Sequence, residues 1–197
     1  MNETPRVPWL KPSEMDGRQK AFYDDVLHNM GRPDLPHVWQ LPDGEINGPF
    51  TSMLHFPELG EPLYRLQLRV VKQDVIAHDV CELFILVVAV AEGCAYAVYA
   101  HELLGRDAGV PEAVLTAVKS GATPDLSGNV DYAAAYGLAR ALTAPGPVPA
   151  PVWGTALDAF GAEGVNVLVH TAAFFKYIGT LMNAYDEPVP GADAERG

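Results

Sequence analysis

The run ELFILVVAVAEGCAYAVYAH, residues 82–101, leaves this chain few folds to choose from. Residues 83–100 are almost uncharged over 18 positions, interrupted at Glu92-Gly93 and flanked by ionisable residues. A membrane span needs about 20 uninterrupted apolar residues, so the run reads as a buried core segment, two helices meeting near Glu92-Gly93. Glu82, Cys94 and His101 put a carboxylate, a thiol and an imidazole in it. A purely structural core helix needs none of the three. Seven residues are close to two helical turns, which predicts Cys94 and His101 on one side with Ala97 between them.

Composition narrows the function classes. At 197 residues, 49% apolar and 19% charged, the chain fills one core and is globular rather than disordered. A formal charge of −12 with no basic run argues against a nucleic-acid or anionic-membrane partner. Two cysteines make no disulfide framework and point to a reducing compartment. The opening MNETPRVPWLKP has no apolar signal-peptide core, and a soluble, cytoplasmic protein is expected.

Periodicity predicts one all-α domain over residues 1–197, of roughly six to eight helices, with no alternating strand segment. Residues 1–12 read as an extended arm packed on the body or a neighbour. A helix from Ser13 to about Gly31 has Phe22, Val26 and Met30 on its apolar face, and a Pro/Gly/Asp-rich loop follows over 32–50. A helix from Pro57 has Leu63, Leu66, Val70 and Val71 as its inner stripe. Further helices are expected from Pro111 to about Gly121, over 129–144, over 152–160 and from Gly164 to about Tyr185. Residues 188–197 form a flexible tail.

The spacing of Glu82, Cys94, Ala97 and His101 resembles the Glu–x11–Cys–x2–Cys–x3–His signature of peroxidases in the carboxymuconolactone decarboxylase and alkylhydroperoxidase D-like superfamily. Three of the four positions match; the second cysteine is Ala97. ELFIL at 82–86 and YAVYAH at 96–101 stand where the decarboxylase-like branch often shows ELAIL and YEWxxH. DGEINGPF (43–50), MLHFPELG (53–60), FGAEGVNVL (160–168) and LMNAYDEPVP (181–190) are also similar to that branch, so the resemblance covers most of the chain. It implies an all-helical fold, homo-oligomers (trimers or hexamers, with a dimer possible) and neither a metal nor an organic cofactor.

Among the candidate catalytic residues His101 comes first, because an imidazole exchanges protons near neutral pH; the alternative is a core histidine bonded to a backbone carbonyl. Glu82 is either its acid partner or a helix-start carboxylate satisfied by amides. Cys94 is either a thiolate at a helix N-terminus or inert packing. Cys81 is no substitute for the missing thiol. On straight helices 13 residues at ~1.5 Å put it ~20 Å from Cys94, against ~7 Å between disulfide-linked Cα atoms. His170, Tyr96, Tyr99, His55 and Tyr177 are candidate substrate-binding residues. His78, one turn before Glu82, can share its face, and Arg65 and Arg69 form either an anion site or a solvated surface. Three functions follow: a cofactor-free acid/base enzyme, such as a decarboxylase, acting on a small oxygenated, cyclic carboxylate or ketone; a peroxidase using Cys94; or a non-catalytic small-molecule binder.

Overall fold

A computed structural model describes residues 6–31 and 34–191. It contains α1 (Gly17–Met30), α2 (Pro49–His55), α3 (Pro57–Val71), α4 (His78–Ala91), α5 (Ala95–Asp107), α6 (Glu112–Lys119), α7 (Val130–Thr143) and α8 (Ala150–Tyr185). Among the described residues the sole β feature is an isolated bridge between Gln40 and Ile46. The all-α expectation holds.

The fold is organised around α4. Every residue from Val80 to Ala89 is buried, and α5, α6, α7 and α8 all pack against the helix. A helix that is apolar all round needs neighbours all round, and α4 has them. Leu83, Phe84 and Leu86 are fully buried. At about 1.5–3 kcal/mol each, they outweigh the cost of one inward-facing carboxylate on the same helix. The break at Glu92-Gly93 falls where the sequence placed it: α4 ends at Ala91 and α5 starts at Ala95.

Several boundaries and faces differ from expectation. α1 begins four residues after Ser13, because Asp16 and Gln19 form a capping box that Ser13 does not. The loop expected over 32–50 ends at α2, a seven-residue helix that the sequence reading missed. On α3 the buried residues are Pro57, Gly60, Tyr64, Gln67 and Val70, whereas Leu66 and Val71 are exposed. Gly60 sets this rotation: a Cβ there would lie 2.2 Å from the Met53 carbonyl oxygen, so only this face of α3 fits against α2. Tyr64 then enters a ring cluster with Phe22 and Phe50.

The two C-terminal helices form one continuous run, α8, with a break at Gly161, where φ is 64° and ψ 179°. A residue with a Cβ resists that conformation, so the glycine places the bend. α8 is long and apolar enough to cross a membrane by length and composition, but half of its most apolar window is buried within the fold. The N-terminal arm packs on the body: the Arg6 N–H donates to the Tyr185 carbonyl at 2.7 Å, and the Trp9 indole donates to Glu187 at 2.9 Å. Most of the expected tail lies outside the described residues.

Candidate active site

Glu82 is in the second turn of α4 and His101 in the second turn of α5, and the tight α4–α5 hairpin brings them together. The Glu82 Oε2 to His101 Nδ1 distance is 2.7 Å, with the two side chains 8% and 12% exposed. The alternatives left open by sequence, a carboxylate on backbone amides and an imidazole on a carbonyl, are not what forms. An ionised carboxylate only accepts, so in that state the shared hydrogen sits on Nδ1, and Nε2 is the ring nitrogen outside the pair. Phe175 of α8 meets the imidazole edge to face at 4.9 Å and fixes the ring plane. His78 stands 3.9 Å from the other Glu82 oxygen and is mostly exposed.

The dyad opens on a cavity of about 330 Å³. Ile85, Ala97, Ala100, Leu104, Phe175 and Ile178 give the cavity an apolar wall beside the dyad. Ala97, where the peroxidase signature has its second cysteine, is part of that wall. Across the cavity stands α3, no Cα of which lies within 8 Å of α4 or α5, and it contributes Gln67. Gln67 and Phe175 were not recognised from the sequence.

Cys94 does not share this space. It caps α5 with φ −86° and ψ 96°, outside the helical region, so the two-turn register with His101 does not apply to it. Its Cβ lies 3.7 Å from where a Gly179 side chain would begin, and it lines a separate cavity of about 140 Å³ with Asn183, Asp186 and Glu187. The sulfur does sit at a helix N-terminus as expected. Yet burial pushes the thiol up, against the backbone N–H groups of Ala97 and Tyr96, and the charges of Glu187 and Glu92 add to the rise. Cys81 lines the main cavity, but burial and then the Glu82 charge push its thiol up to about 12. Both cysteines are free and buried.

The expected substrate-binding residues divide. Tyr96 lines the cavity with its ring, but its hydroxyl donates to Asn47 Oδ1 at 2.7 Å and is no free donor. Tyr99 accepts from the Val38 N–H at 3.0 Å and pins the same loop. The two tyrosines therefore hold the roof formed by residues 38–48. Gly48 (φ 71°) completes this clamp, since a Cβ there would lie 2.5 Å from the Tyr96 ring. His55 ends α2 rather than opening a helix, and its Nε2 sits 2.6 Å from the Pro8 carbonyl, outside the cavity. His170 and Tyr177 are on the exposed face of α8 and line neither cavity, because Leu168, Thr171, Phe175 and Ile178 are the face that this helix buries. Arg65 and Arg69 are exposed and do not line the cavity either. Among the described residues no group of three metal-ligating side chains gathers.

Glu187 was not foreseen as a polar centre. Its Oε1 accepts from Trp9 Nε1 and the Gly48 N–H, both at 2.9 Å, and from Thr51 Oγ1 at 3.2 Å. Burial nonetheless pushes its carboxyl above the ordinary range.

No protein-family model matches the sequence, and no curated protein does. Two solved structures superpose over 96% of this chain and 94% of their own, each with a TM-score of 0.72 at 14% identity. One is an alkylhydroperoxidase AhpD core, an uncharacterised peroxidase-related protein from Ralstonia eutropha JMP134. The other is a cysteine-to-alanine variant of the debrominase Bmp8 in complex with 2,3,4-tribromopyrrole. At that identity the likeness is one of backbone: the chain has the alkylhydroperoxidase AhpD-core fold, as the resemblance carried by Glu82, Cys94 and His101 and by the flanking segments implied.

Proposed function

We propose that this protein is a cofactor-independent acid/base enzyme acting on a small oxygenated carboxylate or ketone, by decarboxylation or a related proton transfer. The observation that carries the reading is the 2.7 Å Glu82–His101 pair opening on a largely apolar cavity from which Cys94 is excluded. Nε2 of His101 takes a proton from carbon next to a carbonyl, or gives one to the carbanion that CO2 loss leaves there. Glu82 orients the ring and steadies the imidazolium between those steps. The apolar wall strengthens this electrostatic help by keeping water out.

Thiol chemistry has less support. It requires a thiolate and a way back from sulfenic acid, and Cys94 has neither a lowered pKa nor a second thiol at position 97. We place the enzyme in the cytoplasm as a homo-oligomer.

The test is solvent deuterium exchange into a panel of cyclic oxo-acids and ketones, followed by proton NMR, with CO2 release measured in parallel. His101→Gln is expected to slow turnover about a hundred- to ten-thousand-fold without loss of fold. An unchanged rate in that variant would refute the assignment. Peroxide consumption with dithiothreitol that Cys94→Ser abolishes would replace it with the thiol reading.

A further inference from the structure

Gln67 is 6% exposed, lies on the buried face of α3 and lines the main cavity, yet its Oε1 has no hydrogen-bond partner among the described residues. An unpaired buried amide oxygen is destabilising, and an apolar residue of the same shape avoids that cost. A leucine here would suit the core better. One turn and a residue further on, Lys72 caps α3 at the cavity rim. Its Nζ donates only to Asn29 Oδ1, at 3.3 Å, and no carboxylate lies within 4.0 Å of it among the described residues. In a chain of charge −12, the one lysine or arginine that lines the cavity among the described residues is thus left without an acid there.

We propose that Gln67 and Lys72 form the recognition half of this site and select a small hydroxy- or oxo-carboxylic acid. Its carboxylate meets Lys72 at the rim, its hydroxyl or carbonyl meets the Gln67 amide, and its proton-bearing carbon meets His101. The amide answers either oxygen type, because half a turn about its last torsion exchanges donor for acceptor. A cavity of about 330 Å³ is at the small end of ligand pockets, which run from about 300 to 1,000 Å³, so the occupant is a single ring or a short chain.

This assignment rests on the acid/base reading and narrows it. A carboxylate held in the water-facing rim keeps its charge and does not leave as CO2. The chemistry that fits this pose, for an oxo acid with a C=C bond conjugated to its carbonyl, is a proton shift: His101 Nε2 removes a proton from carbon, the C–H electron pair moves through the conjugated system onto the carbonyl oxygen, and the proton returns to the other terminal carbon of the dienolate as the carbonyl re-forms. Gln67 Nε2–H donates to the enolate oxygen meanwhile. No oxidant or second reactant enters.

Binding rather than turnover tests the proposal, so the result is independent of whether His101 moves a proton. Isothermal titration uses salicylate, benzoate (no hydroxyl) and methyl salicylate (no charge) as probes. Gln67→Leu is expected to weaken salicylate about three- to tenfold, to leave benzoate within about twofold, and to unfold at the same temperature as the wild type or higher. Lys72→Gln is expected to weaken both acids by up to about fivefold and to leave the ester unchanged. The proposal fails if Gln67→Leu lowers the melting temperature, which marks a structural glutamine. It also fails if the variants bind salicylate like the wild type, or if the wild type binds the ester as well as the acid or binds neither.

Discussion

Replacing Glu187 by alanine removes one acceptor and strands three donors from distant parts of the chain. The Gly48 N–H and Thr51 hydroxyl are buried, and the Trp9 indole is half-buried. An orphaned buried donor costs about 1–3 kcal/mol, and the adjacent cavity of about 140 Å³ has room for a water that recovers part of it. The expected loss is therefore about 3 kcal/mol, or about 6–12 °C in Tm for a chain of this size. Glu187→Gln keeps an acceptor oxygen and is expected within about 1 kcal/mol of the wild type. It also isolates the charge. Because burial raises the folded-state pKa above the ordinary glutamate value, the folded protein holds the proton more tightly than the unfolded chain. This group's contribution is then fully present below the unfolded pKa of about 4.3 and falls as pH rises through the folded value. Glu187→Gln lacks that fall, so its stability relative to the wild type increases from pH 4 to pH 7. Urea denaturation across that range measures both effects. If alanine costs less than 1 kcal/mol, or the Gln difference is flat in pH, the network is not what holds the roof.

Neither thiol is expected to react with dithionitrobenzoate in the folded protein at pH 8, and both to react at once in guanidinium; a rapidly reacting Cys94 in the native state would reverse the view of its environment. Gly48→Ala combines a left-handed φ with a methyl 2.5 Å from Tyr96, so a loss of at least about 2 kcal/mol is expected by thermal unfolding. Phe56, Leu59 and Leu66 are exposed on or beside α3. Light scattering is expected to show an oligomer that the double change Leu59→Glu and Leu66→Glu dissociates; a wild type that is monomeric at micromolar concentration would refute this.

The α4–α5 hairpin was legible because its signal is redundant: an apolar run too long for a strand, a break at Glu92-Gly93 and an acid and an imidazole at its ends. What sequence could not supply was rotation. Gly60 and Met53 fix which face of α3 is buried, a contact between two helices, so Leu66 read as core and Gln67 was passed over. α2 is seven residues long, too short for a period to show. Asn166, His170, Ala173 and Tyr177 recur at helical spacing and are all exposed, so His170 stood on a face that nothing in its own segment marked as outward. Cys94 was misplaced for a different reason. The two-turn register with His101 holds only for a helical residue 94, and a capping residue is not helical. The Trp9–Glu187 pair joins positions 178 apart, and no local pattern announces it.

That last pairing has a consequence for how the molecule is made. Arg6 and Trp9 leave the ribosome well before their partners at Ala184, Tyr185 and Glu187. The hairpin carrying Glu82 and His101 is local and can form mid-synthesis, whereas the roof waits for the end of α8, because long-range closure is the slow part of folding. A nascent or C-terminally truncated chain therefore carries an assembled dyad beneath an unfinished roof, and translation must reach residue 187 before that roof is complete.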